Sequence, residues 1–375
     1  MKTYISGLIT VLFLFVSCEK SDNASINKAQ EFKTFLQQEM EKQHIPAMSV
    51  LIFEEDKILF EEYLGKSNIE KDNNLENDHL FLLASVSKLV VSTALLQLYE
   101  QGYIALDENI NEYLPFSVQV PNQTTSITFR MLLTHTSGIR DNWDILYGQL
   151  YYEEDSPIAL DYYLENYLVA GGEYYNEDKN FYDFEPGSNF RYSNVGDALI
   201  AVLVEKISGI DFNTYCKQHI FNPLAMVNTF WRYDEISQPI VQPYQYTDGK
   251  YKAIPHYTFT DYPNGGLRSN VRDMHKLLTA FVLNGRSNDH QLLQSETIVE
   301  MLTPQIPNIY GQMGLHVFYL DDSRNLWGHS GGSEGVATIV AFNPESKIGI
   351  LLFTNNWEIK VSEIYRKAYD LGTDL

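Results

Sequence analysis

Cysteine is scarce in this chain of 375 residues, which contains two, Cys18 and Cys216. Cys18 lies near the N-terminus in a context that favours its modification, which would leave Cys216 without a partner. We therefore expect no intrachain disulfide, and stability must come from a large core, for which 44% hydrophobic residues are ample. The sequence also lacks C-x-x-C, H-E-x-x-H and phosphate-binding glycine motifs, so we predict no metal and no nucleotide or other cofactor.

Basic residues are also few, with 27 Lys and Arg against 49 Asp and Glu, which gives a net charge of −22. No basic patch or stripe offsets this excess. A polyanion would be repelled by such a surface, so nucleic acid is excluded as a partner. The excess acid is typical of a solvated surface, and the sequence leaves the oligomeric state open.

Long apolar runs are limited to residues 8–16, which are too few to span a membrane and are typical of a signal-peptide core. The run ends in F15-V16-S17-C18, which resembles a bacterial lipobox with Phe15 in place of the usual leucine. We therefore predict a lipoprotein signal peptide at 1–17, lipidation of Cys18 and a tether at 18–27. The expected location is periplasmic or at the cell surface, with membrane contact only through the lipid; ordinary signal-peptide cleavage is the alternative.

Hydrophobic patterning places strands near both chain ends and helices between them. A hairpin is predicted from residues 47–53 and 57–64, and further strands at 313–320, 336–342 and 348–353. Helices are predicted at 28–43, 89–99, 127–133, 197–207, 270–285 and 361–371. The fold class is α/β (α+β): a mainly antiparallel sheet from residues 28–84 and 262–375, flanked by helices. An all-helical region, residues 85–261, is inserted into it.

The stretch Ser85-Val86-Ser87-Lys88 opens a long apolar helix. Positions i and i+3 of a helix share a face, so Lys88 can reach the Ser85 hydroxyl, and the helix N-terminus favours a developing anion. A serine needs a base to become a nucleophile, and a lysine serves as one only if burial and nearby cations lower its pKa. A serine cap beside a surface lysine is the alternative interpretation. The other Ser-x-x-Lys matches lie in the leader and the tether.

Two further motifs follow in order: Tyr192-Ser193-Asn194 before a helix, and His329-Ser330-Gly331 before a strand. With Ser85-x-x-Lys88 they resemble the three motifs of the penicillin-recognising serine hydrolases. That family includes class C β-lactamases, D-alanyl-D-alanine carboxypeptidases, esterases and D-aminopeptidases. Flanking stretches at 127–139, 184–194, 220–226 and 264–270 also match, so the resemblance covers residues 28–357. It implies a β-lactamase/transpeptidase-like fold with the active site between the sheet and the helical region.

The resemblance implies a catalytic role for three side chains. Ser85 would be the nucleophile of an acyl-enzyme, Lys88 would hold or accept its proton, and Tyr192 would share in the proton relay. The backbone N–H groups of Ser85 and Gly332 would form the oxyanion hole, in which one missing donor costs about 3 kcal/mol.

The resemblance also implies four substrate-binding residues, Asn194, His329, Ser330 and Gly331. Asn194 would bind the acyl-side amide and Ser330 a substrate carboxylate. Class C β-lactamases usually carry lysine at the position of His329, and an unperturbed histidine is mostly neutral at pH 7. Weaker or pH-dependent carboxylate binding is therefore expected.

The function most in keeping with this motif variant is a D-alanyl-D-alanine carboxypeptidase-like serine hydrolase that acts on small cell-wall-type peptides. A β-lactamase, an esterase or a D-aminopeptidase on the same site, and a non-catalytic penicillin-binding lipoprotein, remain alternatives. The stretch 331–335 also fits G-x-S-x-G, but a strand is predicted to follow it where a nucleophile elbow requires a helix.

The segment 143–184 is rich in tyrosine and acidic residues. It is either a lid with acidic and aromatic walls that selects amine-bearing or sugar-bearing substrates, or an insertion that packs its tyrosines on its own domain.

Overall fold

The computed structural model describes residues 15–287, 289–357 and 359–375, with side chains described from residue 25 onward. The helices are α1 (Phe15–Lys42), α2 (Lys88–Glu100), α3 (Phe129–Leu133), α4 (Trp143–Leu146), α5 (Leu160–Leu168), α6 (Glu177–Asn180), α7 (Asn194–Ser208), α8 (Phe212–Cys216), α9 (Val271–Val282), α10 (Ser295–Met301) and α11 (Ser362–Asp374). The strands are β1 (Ala47–Glu54), β2 (Lys57–Asn68), β3 (Asn73–Asn74), β4 (Phe81–Leu82), β5 (Leu150–Tyr152), β6 (Tyr244–Thr247), β7 (Lys250–Ala253), β8 (Tyr257–Phe259), β9 (Arg268–Ser269), β10 (Arg286–Ser287), β11 (His290–Gln291), β12 (Phe318–Asp321), β13 (Leu326–Ser333), β14 (Val336–Phe342) and β15 (Ile348–Thr354).

A seven-stranded antiparallel sheet unites the two ends of the chain in the order β12-β13-β14-β15-β1-β2-β3. Strand β1 is the junction, because Leu51 pairs with Leu351 of β15 on one side and with Glu61 of β2 on the other. This arrangement confirms the predicted α/β (α+β) class and the sheet built from both chain ends.

Helices cover both faces of the sheet, which explains why β14 and β15 are buried along their whole length. On one face α1 and α11 pack against the sheet and contribute Leu36 and Ile364 to a core. On the other face α9 packs on β1 and β15 and continues into the large core of the helical region.

Two interior helices, α2 and α7, pack against each other in the helical region. Helix α2 is buried from Lys88 to Leu98, as expected for a helix that is apolar on all sides. Helix α7 begins where the Ser193 hydroxyl accepts a hydrogen bond from the Gly196 N–H at 2.9 Å, and it ends at Gly209, whose φ is 72°. Polar residues in the first turns of both helices, such as Lys88 and Asp197, therefore lie in the interior.

Two predictions about local structure are wrong, and a third stays a prediction. The segment 18–27, predicted to be a tether, lies within α1, which begins at Phe15. Most of 313–320 is not a strand, because His316 has a φ of 57° and its N–H bonds the main chain of Leu133 instead of a sheet neighbour. The inserted region is not all-helical, since β5 pairs with β8 and β6 pairs with β7.

Predictions about the leader lie mainly outside the described residues. The signal peptide at 1–17 falls largely on residues 1–14, and the side chain of Cys18 also lies outside the described part. In the part of the chain that the structure describes, no helix is both long enough and apolar enough to span a bilayer. The domain boundaries predicted at 84/85 and 261/262 stay a prediction.

Candidate active site

Ser85 lies on a tight 3-10 turn, Ala84–Ser87, that leads directly into α2. Ala84 has a φ of 48°, a conformation that a residue with a Cβ adopts only when its surroundings enforce it. Here the Thr338 hydroxyl donates to the Leu83 carbonyl at 2.7 Å, and the Leu267 N–H donates to the Ser87 hydroxyl at 3.2 Å. The turn that carries Ser85 is therefore fixed from both sides.

The Lys88 side chain is completely buried beside this turn. Its Nζ lies 3.0 Å from Asp197 Oδ2, donates to Asn194 Oδ1 at 2.9 Å, and bonds the main-chain oxygen of Asn264. It also lies 5.1 Å from the centre of the Tyr192 ring. The three N–H donors of the ammonium thus have three partners within the site.

The charge state of Lys88 decides whether it can act as a base. Burial disfavours the ammonium, but the Asp197 carboxylate and the Tyr192 phenol outweigh burial, so the pKa of Lys88 lies above its usual value. The condition for a neutral lysine base, a pKa lowered by burial and nearby cations, is not met because the nearest charge is an anion. Lys88 therefore rests as a cation.

Tyr192 is half-buried, and its buried hydroxyl lies near both the nucleophile and the lysine. Burial raises the pKa of its phenol, while the Lys88 ammonium and the Ser85 hydroxyl act in the opposite direction. The hydroxyl has no hydrogen-bond partner of normal geometry among the described residues. It is therefore a neutral hydroxyl close to both groups and free to reorient toward either.

Behind these residues lie Asp197 and His316, neither of which was singled out from the sequence. His316 Nδ1 is 3.2 Å from Asp197 Oδ1, and the His316 ring stacks 5.0 Å from that of His135. Burial raises the pKa of Asp197 to about 6 against the opposing effect of Lys88, and burial together with Lys88 lowers that of His316 to about 3. Near neutral pH the charged pair is therefore Asp197 with Lys88.

Asn194 is held by Asp141, a half-buried residue that the sequence analysis also missed. Asp141 accepts hydrogen bonds from the Asn194 N–H at 2.8 Å, from Asn194 Nδ2 at 2.9 Å and from the Val195 N–H at 3.1 Å. The carboxylate thus caps α7 and orients the Asn194 amide. One N–H and one lone pair of that amide remain for a substrate.

Strand β13 brings the third motif against the nucleophile. A Cβ on Gly331 would lie 2.3 Å from the Leu83 carbonyl oxygen and 3.1 Å from the Ser85 nitrogen, so only glycine fits there. A Cβ on Gly332 would meet nothing within 4 Å, which leaves its backbone open on the pocket side. The G-x-S-x-G match is followed by β14, a strand, as predicted.

His329 is buried on β13 and neutral. Its Nδ1 bonds the Ser330 carbonyl at 2.6 Å, and because a carbonyl only accepts, Nδ1 carries the proton. Nε2 has no partner among the described residues and presents a lone pair. Burial and the Lys88 charge lower the pKa of His329 to about 3, so it is not a cation for a carboxylate near neutral pH.

Two cavities meet at Ser85 and Gly332. One, of about 130 Å³, we call the aspartate pocket; it is lined by Asp261, Asn194, Trp143, Leu146, Tyr147, Leu150, Tyr257, Phe259 and Glu334, among others. The other, of about 520 Å³, we call the histidine pocket; it is lined by Tyr192, His329, Ser330, Phe190, Tyr310, Gln312, Phe318, Tyr319 and Leu320. The two cavities provide separate spaces on either side of one nucleophile.

The predicted site residues from Ser85 to Gly332 are thus gathered around these cavities. The tyrosine- and acid-rich segment 143–184 contributes to both the pocket wall and the core, and its predicted role as a lid stays a prediction. Trp143 and Tyr147 line the aspartate pocket, whereas Tyr163 and Tyr167 are buried in the core of the helical region. Among the described residues, no group of three or more His, Cys, Asp or Glu side chains could hold a metal ion.

Comparisons with known proteins agree with this architecture. A family model described as Beta-lactamase matches residues 32–373. Beta-lactamase-like protein 4 of Dictyostelium discoideum is 26% identical over 97% of this chain and 68% of its own length. Protein flp of Staphylococcus aureus is 22% identical over 87% of this chain, which spans 63% of that relative's length.

Solved structures share the fold. A penicillin-binding protein from Bacillus halodurans aligns with a TM-score of 0.70 at 24% identity, covering 90% of this chain and 97% of that one. The D-alanine carboxypeptidase AmpC of Burkholderia cenocepacia aligns at 0.70 and 20% identity, covering 94% and 100%. EstCE1, a hydrolase with promiscuous acyltransferase activity, aligns at 0.74 and 18% identity, covering 94% and 99%. The chain belongs to the β-lactamase family of penicillin-recognising proteins, whose members are generally serine hydrolases.

Proposed function

We propose that this protein is a serine hydrolase that cleaves amide or ester bonds through an acyl-enzyme on Ser85. The hydroxyl oxygen of Ser85 would attack the carbonyl carbon, and the backbone N–H groups of Ser85 and Gly332 would stabilise the oxyanion. The leaving group would take a proton from Tyr192, and water would then release the acyl group.

The proton of Ser85 needs an acceptor, and a protonated Lys88 cannot take it directly. A relay through Tyr192 and Lys88 that ends on Asp197 would solve this, because the Tyr192 hydroxyl lies near both Ser85 and Lys88, Lys88 pairs with Asp197, and the pKa of Asp197 is about 6. A terminal acceptor whose pKa is close to the working pH is what general base catalysis requires.

We further propose that the leaving group is uncharged, as in a simple ester or a neutral amide. The observation that carries this is the neutral His329 on the wall of the histidine pocket, whose buried Nε2 has an unpaired lone pair that would repel a carboxylate but accept a hydrogen bond. No Lys, Arg, Asp or Glu is among the described residues that line the histidine pocket, and its walls are largely aromatic.

A carboxypeptidase-like activity on peptides ending in D-alanyl-D-alanine is the second candidate. It is favoured by the Ser330 hydroxyl, which is exposed in the histidine pocket and can donate to a carboxylate. The similar fold of a D-alanine carboxypeptidase is compatible with it. Turnover of a β-lactam would use the same acylation step.

The leaving-group proposal is tested with two substrates that share one acyl part. N-acetyl-D-alanyl-D-alanine releases a group that carries a carboxylate, and its C-terminal amide releases D-alaninamide. We expect kcat/KM for the amide to exceed that for the acid by about tenfold or more. A preference of similar size for the acid would support the carboxypeptidase instead, and the Ser85→Ala variant controls for background hydrolysis.

We also propose that the full chain is exported and lipidated at Cys18, on the strength of the apolar run at 8–16 and the lipobox-like residues that follow it. Metabolic labelling with a fatty-acid analogue should mark the wild type and spare the Cys18→Ser variant. Equal labelling of both would contradict the proposal.

A further inference from the structure

The aspartate pocket contains an acidic group that the proposed reaction does not use. The Asp261 side chain lines this cavity, and the residue is only 3% exposed. Its own main-chain N–H acts on the carboxylate, but among the residues that the structure describes no cationic side chain pairs with it within 4.0 Å. A buried carboxylate without a cation is costly, so its presence on a cavity wall requires an explanation.

The remaining charge in the pocket has the same sign. Glu334 lies exposed on the wall beside Gly332, and no Lys, Arg or His is among the described lining residues. Asp141 lies close enough to Asp261 to raise its pKa, after the larger effect of burial. With a pKa of about 7 the Asp261 carboxyl is partly protonated near neutral pH, and a cation that enters this cavity would favour its ionised form.

Aromatic side chains complete the walls. Trp143 and Tyr147 are 51% and 62% exposed, and their rings are 5.5 Å apart. Rings exposed in this way can receive a cation on their faces as well as cover an apolar chain. An apolar cavity with one buried anion and two open rings suits a small organic cation.

The wall is built rigidly. Strand β5 pairs with β8, and Leu150 lies opposite Phe259, so the Trp143–Leu150 segment is tied to the chain that carries Asp261. Next to Asp261, the Thr260 hydroxyl donates to Gln149 Oε1 at 3.0 Å. The pocket is therefore preformed by paired backbone, and the distance from Ser85 to the acid does not depend on a mobile loop.

We propose that the aspartate pocket binds the acyl part of the substrate through an ammonium group paired with Asp261. This inference rests on the proposed function and names its substrate class: esters and amides of amino acids with a free amine. Acylation of the amine would remove the charge that pairs with Asp261. Asn194, on the same wall, would orient the acyl carbonyl between the ammonium site and Ser85.

The test compares p-nitroanilides in matched pairs, in which a methyl group replaces the ammonium. The pairs are D-alanyl with isobutyryl, β-alanyl with butyryl, and 4-aminobutyryl with pentanoyl, which move the amine away from the carbonyl in steps. Each ratio of kcat/KM is divided by the ratio of the base-catalysed rates, to remove the effect of the amine on intrinsic reactivity. We expect at least one amine to be preferred by about tenfold or more.

Two variants test whether the preference for the amine depends on Asp261. Asp261→Asn keeps the shape and removes the charge, and it should reduce the amine preference by about tenfold. Asp248→Asn, which alters an exposed acid in the β6–β7 turn, is the matched control and should leave the ratios unchanged. If Asp261→Asn does not fold, inhibition of butyryl p-nitroanilide hydrolysis in the wild type by n-propylammonium, and not by n-propanol, serves instead.

The outcomes separate the inference from the function on which it rests. Hydrolysis of the neutral anilides with ratios near unity, or a preference that survives Asp261→Asn, would overturn the ammonium site and leave the serine hydrolase intact. Absence of Ser85-dependent hydrolysis of all six anilides and of the p-nitrophenyl esters of the same acids would overturn the proposed function and the inference with it.

Discussion

Replacing Asp197 by asparagine removes the only anion that contacts Lys88 among the described residues. Both side chains have zero exposure, and Nζ lies 3.0 Å from Oδ2. At an effective dielectric constant of about 20, their attraction is roughly 5 kcal/mol. Because the variant leaves a buried charge without a partner, we expect the free energy of unfolding to fall by about 3–5 kcal/mol.

The comparison needs two further proteins. Asp161→Asn breaks the half-exposed pair with Lys206, 2.7 Å long, and should cost less than about 1 kcal/mol. The double variant Lys88→Met/Asp197→Leu replaces the buried pair by apolar side chains and should recover most of the lost stability.

Urea unfolding followed by circular dichroism at about pH 7.5 gives all four free energies under one condition. The reasoning is refuted if Asp197→Asn stays within about 1 kcal/mol of the wild type, or if the double variant is no more stable than the single one. Either result would mean that Lys88 does not depend on Asp197 for its charge.

Three further predictions follow from the site. Since Asp197 must be ionised to receive the relayed proton and its pKa is about 6, kcat/KM should fall as the pH drops below about 6; a flat profile from about pH 5 to 8 would exclude this role. Burial raises the pKa of Asp261 from 3.8 to about 7 in the folded protein, so the folded protein binds a proton more tightly than the unfolded chain does. The free energy of unfolding of the wild type should therefore fall, relative to that of Asp261→Asn, as the pH rises from about 4 to about 7. Between about pH 4 and 8 the free energy of unfolding of the wild type should drop by roughly 4 kcal/mol relative to that of Asp261→Asn. A difference between the two proteins that does not change with pH in urea unfolding would contradict the assignment. Gly331→Ala should lower the unfolding free energy by about 1–3 kcal/mol because its Cβ would meet the Leu83 oxygen, whereas Gly332→Ala should change it by less than about 0.5 kcal/mol; equal effects would contradict the close packing of β13 on the turn.

Sequence patterns predict those helices and strands that are determined by neighbouring residues in the chain. The hairpin of β1 and β2 and the apolar strands β14 and β15 follow from residue periodicity and turn chemistry. Strand β5 could not be found in this way, because its three residues are held by pairing with β8, more than 100 residues away. The turn at His316 likewise depends on a backbone bond to Leu133.

Site residues that belong to a local motif could likewise be predicted, whereas those that depend on tertiary contacts could not. The motifs point to Ser85, Lys88 and Tyr192 because each lies at a recognisable helix start. Asp197 lies three residues beyond Asn194 on α7, and helical spacing could have suggested it. The charge of Lys88 could not be predicted, because it depends on an anion 109 positions further along the chain that only the packing of α2 on α7 brings into contact. Asp261 has no motif and is recognised only by the cavity it lines.

The central claim is that Ser85 carries the acyl group during turnover. The most direct measurement is the intact mass of the protein after rapid acid quenching of its reaction with p-nitrophenyl acetate, followed by peptide mapping. We predict one acetyl group, mapped to the peptide that contains Ser85 and lost on longer incubation, with no such adduct on Ser85→Ala. An equal adduct on Ser85→Ala, or turnover by the wild type with the acetyl group mapped to another residue, would contradict the account.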